Sequence, residues 1–550
     1  MRYMQRTRIV IVGGVAGGMS AATRLRRLDE TAEIVVLERS GHVSFANCGL
    51  PYRVGGVIEQ RNSLLLQTPA ALNARFGLDV RVRHEAIAVD AAARRVRVRD
   101  LAAGEEYDLG YDRLILSPGA VPVRPGLPGI ERALTLRNIE DTDALVAAVA
   151  GARTGVVIGG GFIGLEVAEN LARRGLAVGI VEATDQVLAP IDPELAALVH
   201  RRLRDRGVEL HLGQQVVEIG ADDVVLADGS RLPAQVVVAA IGVRPDTALA
   251  AAAGLAIGEL GGIRVDERLR TSDPHIFAIG DAVEKTDAFT AQAALVPLAQ
   301  TANLQGRRVA DVAMGRPGGD RPVLGTAIVE VFGLQVAVTG WNEKRLRAAG
   351  RAHRVIHSHP MDHAGYYPGA TQLAMKLLVD PVTDAILGAQ AVGGSGADKR
   401  IDVIATAMAA GLRAGGLAGL ELAYAPPFGS AKDPVNMLGW IAANLRDGLT
   451  ETIQWHELAA AQAAGATVVD VRTAAEHQAA AIPGAVPVPL DELRARLDEL
   501  PAGDLIVYCA VGLRGYLATR VLEQHRAGHA WGRIRNLDGG MRTWQAGVGR

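Results

Sequence analysis

Two cysteines stand in 550 residues, and the first sits in a stretch built for sulfur chemistry. Cys48 lies within Ser44-Phe45-Ala46-Asn47-Cys48-Gly49-Leu50-Pro51-Tyr52. A lone cysteine is most often a small core residue. Here polar Ser44 and Asn47 flank the thiol, Gly49 and Pro51 fix an irregular backbone after it, and a glycine-rich turn lies just upstream. That setting favours a redox thiol. The second cysteine, Cys509, ends the apolar run Leu505-Ile506-Val507-Tyr508 and faces a short loop, Ala510-Val511-Gly512-Leu513-Arg514.

The elements that must position these thiols are α/β in character. The first is the apolar run Ile9-Val10-Ile11-Val12, a buried strand, followed by the turn Gly13-Gly14-Val15-Ala16-Gly17-Gly18 and a helix over Met19 to Leu28. Ile34-Val35-Val36-Leu37 is the next strand, with Glu38 at its end. Strand, glycine turn, helix, strand and acid form the dinucleotide-binding fingerprint, with Val15 where the strict pattern has its second glycine. The glycines let the backbone approach a pyrophosphate at the helix N-terminus, and Glu38 binds a ribose hydroxyl pair. The unit recurs in full spacing. Val156-Val157-Ile158 is followed by Gly159-Gly160-Gly161-Phe162-Ile163-Gly164, a helix over Leu165 to Arg174, and a strand over Val178 to Val181 ending in Glu182. A carboxylate there accepts hydrogen bonds from the ribose 2′ and 3′ hydroxyls and repels a 2′-phosphate, so NADH is expected over NADPH. Asp192-Pro193-Glu194 opens a further helix, with the aspartate expected as its cap, a structural rather than a catalytic feature.

Two dinucleotide folds in one chain point to FAD plus NAD(H). Two further strands support this. Tyr111 to Leu116 runs into the small-residue turn Ser117-Pro118-Gly119-Ala120, and His275 to Ile279 ends in Gly280-Asp281, whose carboxylate suits the flavin's ribityl or pyrophosphate region, the cap of the next helix, or both.

Length and composition agree. A single core seldom exceeds about 250–300 residues, so several domains are expected. Aromatic content is only 4% against 49% hydrophobic, which leaves the packing to Ala, Val, Leu and Gly. With 58 basic and 60 acidic residues the net charge of −2 gives no reason to expect nucleic acid or a membrane surface. Two cysteines make no disulfide framework, and no apolar run reaches the ~20 residues of a membrane helix. The N-terminus runs straight into a buried strand, so no signal peptide is expected, and the expected location is cytoplasmic.

On these motifs, residues 1 to about 445 resemble the pyridine nucleotide-disulfide oxidoreductase superfamily, and the Cys48 stretch is similar to that of coenzyme A-disulfide reductases, NADH oxidases and persulfide reductases. Arg53 stands where the related Cys-x4-Cys enzymes have a second cysteine, so the thiol must cycle through a mixed disulfide, a persulfide or a sulfenic acid. The resemblance implies coenzyme A binding by Ser20, Arg24, Arg27, Ser44 and Asn47, with Asn303 at another substrate position. Arg24 and Arg27 are one helical turn apart and suit a shared phosphate or, equally, a solvated basic face. From Val323 onward, a hairpin over Gly325 to Gly340, strands over Leu373 to Val379 and Ala385 to Val392, and a helix over Asp402 to Leu412 resemble the family's dimerisation domain. Tyr367 and Tyr424 match tyrosines that, in the family, reach the active site across a homodimer interface and act as proton donors. A tyrosine packed in an interface is the plainer reading of each.

After the break Arg446-Asp447-Gly448-Leu449, the elements Asp470-Val471-Arg472, Gly484-Ala485 and Asp538-Gly539-Gly540 resemble a rhodanese domain. Cys509 to Arg514 has the rhodanese loop length. Its backbone N–H groups would cradle an anionic persulfide on Cys509, and Arg514 would add charge.

The expected architecture is thus α/β: an FAD-binding domain over 1–121 and 247–322, an NAD(H)-binding domain over 122–246, an α+β dimerisation domain over 323–446, and a C-terminal α/β rhodanese domain over 451–550. The expected activity is NADH-dependent, FAD-mediated reduction of coenzyme A disulfide, coenzyme A persulfide or polysulfide, in a homodimer acting on small thiols and sulfane sulfur. Catalysis would fall to Cys48, Cys509, Tyr367, Tyr424 and Arg514. Cofactors would be held by Gly13, Gly14, Ala16, Gly17, Gly18, Glu38, Gly119, Gly159, Gly161, Gly164, Glu182, Gly280 and Asp281, with no metal. Two other readings stay open: an NADH oxidase working through a Cys48 sulfenic acid, and a non-catalytic redox-sensing flavoprotein.

Overall fold

The computed structural model describes residues 6–549. It divides into two compact units, one running to Asp185 and joined by Gly207–Gly325, the other made of Gln186–Arg206 with Thr326 onward.

The first unit holds two parallel sheets. In one, the strand order is Ile276–Ala278, Arg113–Leu116, Arg8–Val12, Glu33–Glu38 and Asp79–Val82, all parallel. Helices cover parallel sheets on both faces, so their strands read as unbroken apolar runs, and Ile9, Val10 and Ile11 are fully buried. Helix Ala16–Leu28 packs closely on Ala299–Ala313: a Cβ at Gly306 would stand 2.3 Å from the Gly17 carbonyl oxygen, so only glycine permits this crossing. The second sheet runs Glu209–Leu212, Ala177–Glu182, Thr154–Ile158, Val236–Ala239, again parallel, with helix Phe162–Arg173 following its glycine turn. Two three-stranded antiparallel sheets, one over His84–Asp90, Arg95–Asp100 and Glu106–Gly110, the other over Val216–Ile219, Asp223–Leu226 and Arg231–Pro233, and two short two-stranded ones complete the unit.

The second unit holds two five-stranded sheets. One is antiparallel, in the order Ala327–Val331, Leu334–Gly340, Ile386–Gly393, Ala374–Val379, Arg354–Ser358. The hairpin and the two strands expected here are present. The edge strand Arg354–Ser358 was not anticipated, because Arg354, His357 and Ser358 break its apolar pattern. The helix expected from Asp402 starts earlier, at Ala397, after Gly396 in the left-handed conformation. The other sheet is parallel: Glu451–Ile453, Trp531–Leu537, Gly503–Tyr508, Thr467–Asp470, Val486–Pro487.

Helix Pro193–Asp205 belongs to this second unit, packed on Gly540–Val548. Its expected cap is corrected: the Asp192 side chain makes no bond to its own helix. The fully buried carboxylate instead accepts from the backbone N–H of Glu343 at 3.0 Å and from Gln390 Nε2 at 2.6 Å, and lies 3.0 Å from Lys376 Nζ. A buried charge goes to the strongest donors within reach, here an ammonium and another helix's N-terminus. Among the described residues no helix is long and apolar enough to cross a membrane.

Candidate active sites

The first glycine turn is locked by sterics. Gly13 has φ +102°, and a Cβ there would stand 2.0 Å from the Ser117 carbonyl oxygen. Glu38, at the end of its strand, accepts from Gly14 N–H at 2.9 Å and Ser40 N–H at 2.8 Å, so its carboxylate is fixed at the mouth of the turn. Ser44 N–H donates to the Gly14 carbonyl at 2.8 Å, which fastens the Cys48 segment to the same turn. Ser44 takes φ +48°, a strained conformation for a residue with a Cβ and one that clusters at functional sites.

Across the cradle, Gly280 N–H donates to Gln305 Oε1 at 2.8 Å, and Lys285 Nζ donates to the Gly280 carbonyl at 2.7 Å. Asp281 Oδ1 is buried with no hydrogen-bond partner. Burial pushes the Asp281 carboxyl up, and Lys285 and Arg137 oppose that shift. A glycine cradle beside an unpartnered buried acceptor fits a flavin dinucleotide with its hydroxyls and pyrophosphate. Sequence reasoning missed Arg137. Its guanidinium donates to the Pro118 carbonyl at 3.1 Å and lies against Gly119, which has φ +76°. No motif surrounds Arg137, so only the fold reveals it. The second turn repeats the logic: Gly159 has φ +106°, Gly161 opens helix Phe162–Arg173, and a Cβ on Gly164 would stand 2.0 Å from the Gly159 carbonyl oxygen. Glu182 accepts from Gly160 N–H at 2.7 Å and from the Thr184 hydroxyl at 2.8 Å.

Cys48 is exposed within the short turn Asn47–Gly49, which leads into helix Leu50–Val54. Partial burial first, and the charge of Glu166 second, push the Cys48 thiol up. Glu166 is itself held at about 7 by burial, and it accepts from the Tyr52 hydroxyl at 3.3 Å. The chain therefore sets a carboxyl of raised pKa, hydrogen-bonded to a phenol, within electrostatic reach of the thiol.

The substrate candidates divide. The Ser20 hydroxyl donates to Asn303 Oδ1 at 2.5 Å, joining positions 283 apart. Arg24 gives Nε and Nη2 to Asp311, at 3.2 and 2.7 Å. Its charge is met within the protein, so Arg24 and Arg27 do not face one phosphate as a free pair. Arg27 is exposed. Asn47 Nδ2 donates to the Arg137 carbonyl at 3.3 Å.

In the second unit Tyr424 meets, within one chain, the neighbour of the expected Tyr367. The Tyr366 hydroxyl lies 3.1 Å from the Tyr424 hydroxyl, and both rings are exposed, at 76% and 47%. Tyr367 instead packs edge-on against His363, with ring centroids 5.8 Å apart. Within one protomer it is Tyr366 that meets Tyr424. Beside Tyr424 a cavity is lined by Lys399, Ala423, Ala425 and Phe428.

Cys509 is fully buried at the end of strand Gly503–Tyr508. Gly512 N–H donates to its Sγ at 3.2 Å, with Gly512 at φ +104°. Arg514 is bound bidentately by Glu476, at 2.8 and 2.6 Å, so part of its charge is already spent. That guanidinium holds the Glu476 carboxyl down at about 2. Behind the thiol, buried Asp470 accepts from Tyr508 Oη at 2.6 Å, His477 Nδ1 at 2.9 Å and Arg472 Nη2 at 2.6 Å, a network that fixes the strand ends.

Comparison with known proteins agrees with this layout. The family model for pyridine nucleotide-disulphide oxidoreductases matches residues 7–306, that family's dimerisation domain matches 326–434, and the rhodanese-like domain matches 454–547. The coenzyme A disulfide reductase of Staphylococcus haemolyticus is 34% identical over 445 residues, covering 80% of this chain and all of that protein. The crystal structure of reduced CoADR-RHD from Bacillus anthracis is 45% identical, covers 99% of both chains and superposes with a TM-score of 0.97. An NAD-dependent persulfide reductase from A. fulgidus is 38% identical, with a TM-score of 0.91 over 98% of this chain and all of that one.

Proposed function

The chain belongs to the pyridine nucleotide-disulphide oxidoreductase family, and from that premise we propose that it is an FAD-dependent NADH oxidoreductase reducing coenzyme A disulfide, coenzyme A persulfide or polysulfide through Cys48, with sulfur relay by Cys509. The observation that carries this reading is the pairing of two single-thiol centres in one chain: Cys48 beside a dinucleotide cradle, and Cys509 in a rhodanese-like loop. A dithiol reductase needs a second cysteine near the first, and an oxygen-reducing enzyme has no use for sulfane sulfur.

FAD, when bound, supplies the two-electron relay between NADH and sulfur. The residues of the chain do the rest. Gly13, Gly14, Gly17, Glu38 and Asp281 hold the flavin nucleotide, and Glu182 receives the ribose hydroxyls of NADH. Ser20, Asn303, Arg27 and Asn47 hold coenzyme A. The Cys48 thiolate attacks one sulfur of the substrate S–S bond. That bond breaks, a mixed disulfide or persulfide forms on Cys48, and the departing thiolate takes a proton. Tyr424, hydrogen-bonded to Tyr366, is the donor in our reading, acting across the interface of a homodimer. The Glu166–Tyr52 pair holds a further proton beside Cys48.

Mass spectrometry of the purified protein tests the assignment. Coenzyme A on Cys48 and extra sulfur on Cys509 are expected. Anaerobic NADH consumption should require coenzyme A disulfide or polysulfide. NADH consumption that depends only on oxygen would establish the oxidase reading instead.

A further inference from the structure

The rhodanese motif Asp538-Gly539-Gly540 is anchored from outside the rhodanese-like segment. Asp538 is 3% exposed, and its Oδ2 accepts from the backbone N–H of His357 at 2.9 Å, from His357 Nδ1 at 2.8 Å and from Gln454 Nε2 at 3.1 Å. His357 lies on the edge strand Arg354–Ser358 of the antiparallel sheet. Its other nitrogen, Nε2, donates to Glu194 Oε1 at 3.0 Å, and Lys376 Nζ reaches the same oxygen at 2.6 Å. With both ring nitrogens facing carboxylates, the imidazole is cationic. Burial would lower its pKa, but Asp538 above all holds it up at about 9.

From Asp538 the linkage runs to the thiol. Gly539 has φ +69° and is wedged on His357: a Cβ there would stand 2.8 Å from the His357 Cβ. Gly540 has φ +60°, and a Cβ there would stand 2.4 Å from the Cys509 carbonyl oxygen. The next two N–H groups, of Met541 and Arg542, donate to the carbonyls of Cys509 and Ala510 at 2.8 and 3.1 Å. The carbonyl side of the Cys509 loop is thus hung on a turn whose aspartate is gripped by another domain's histidine.

We propose that His357 is a positioning residue for sulfur transfer at Cys509, acting through Asp538 and the Gly539-Gly540 turn, so that the sulfurtransferase centre is completed by the dimerisation-domain sheet. This rests on the sulfur-transfer reading of Cys509. A loop hung on a short turn moves with that turn, and small misplacements of reacting groups cost far more in turnover than in binding.

The test uses the full-length holoenzyme and the transfer of sulfur from thiosulfate to cyanide. In this assay Cys509 takes the outer sulfur and sulfite leaves; cyanide then takes that sulfur as thiocyanate. H357A and D538N should each lower kcat about ten- to hundredfold, with the KM for thiosulfate nearly unchanged. The double variant should be no worse than D538N alone, because the two side chains act as one unit. H357N, whose amide stands where Nδ1 did and can still donate to Asp538, should recover part of the loss. NADH-driven flavin reduction should stay within about twofold, since His357 is remote in role from that step. Wild-type kcat in H357A, or additive losses in the double variant, would overturn the proposal. Should H357A not fold, H357Q carries the test, since its amide can keep Glu194 but leaves no donor where Nδ1 met Asp538, and a wild-type kcat in H357Q overturns the proposal. No thiocyanate from the wild-type protein would overturn the sulfur-transfer reading and this proposal together.

Discussion

The hydroxyls of Tyr366 and Tyr424 meet at 3.1 Å, from positions 58 apart in the chain, while neighbouring Tyr367 turns its ring to His363. Two exposed phenols that share a hydrogen bond are placed to pass a proton, which is the role we propose for them. Y366F and Y424F should each slow coenzyme A disulfide or persulfide reduction, in the ~10²–10⁴-fold range of general acid help. Y367F should fall well short of that. Rapid-mixing flavin spectra should show NADH-driven flavin reduction unchanged in all three. A larger effect from Y367F than from Y366F would return the role to Tyr367.

The two thiols should divide the work. C48S should abolish every NADH-driven sulfur reduction while leaving the flavin bound. C509S should abolish thiocyanate formation and spare coenzyme A disulfide reduction, because a thiolate must contact the sulfur it attacks. Loss of coenzyme A disulfide reduction in folded C509S would show that the two centres are one.

NADH should outperform NADPH in kcat/KM. Glu182 already accepts from Gly160 and Thr184, which fixes its carboxylate at the strand end, where on the proposed reading it would repel a 2′-phosphate. A preference for NADPH would mean that a basic group overrides this charge.

Arg24 and Arg27 should separate cleanly. R27A should raise the KM for coenzyme A disulfide, by an amount that shrinks as salt is added. R24A breaks a partly buried ion pair to Asp311 between two packed helices, and should cost about 1 kcal/mol of stability in a denaturant titration. A KM effect confined to R24A would reverse the two roles.

The His357 cluster sets an alkaline limit on stability. The folded-state pKa of about 9 lies above the 6.5 of a free histidine, so the stabilisation is complete below pH 6.5 and disappears as pH rises through about 9. The groups facing the ring are Asp538, Glu194 and Lys376, and Lys376 stays charged across this range because three carboxylates surround it. Thermal melting from pH 6 to 10 should show Tm of the wild-type protein falling more steeply than that of H357Q. Parallel curves would mean that His357 does not titrate in this window.

The sequence by itself determined both dinucleotide folds, both thiols and the rhodanese-like segment. Those features depend on local rules. Ile9 to Val12 must be a buried strand, Gly13 must take a positive φ in the turn that follows it, and a glutamate at a strand end must face the turn it follows. Each is written within some thirty residues. The tertiary structure decided what depends on long-range approach and on the direction of side chains. Nothing local tells Tyr366 from Tyr367; the return of Tyr424 does. Nothing in the Arg24 helix reveals that Asp311 claims its charge. Nothing in Arg354–Ser358, a polar edge strand, marks His357 as the grip on Asp538. Asp192 read as a helix cap because its neighbours are helical, yet Lys376, 184 positions away in the chain, claims it. Local pattern fixes which backbone forms, since it depends on neighbours along the chain. Charged and phenolic side chains are long and choose the strongest partner in space, and that partner is known only once the sheets have packed.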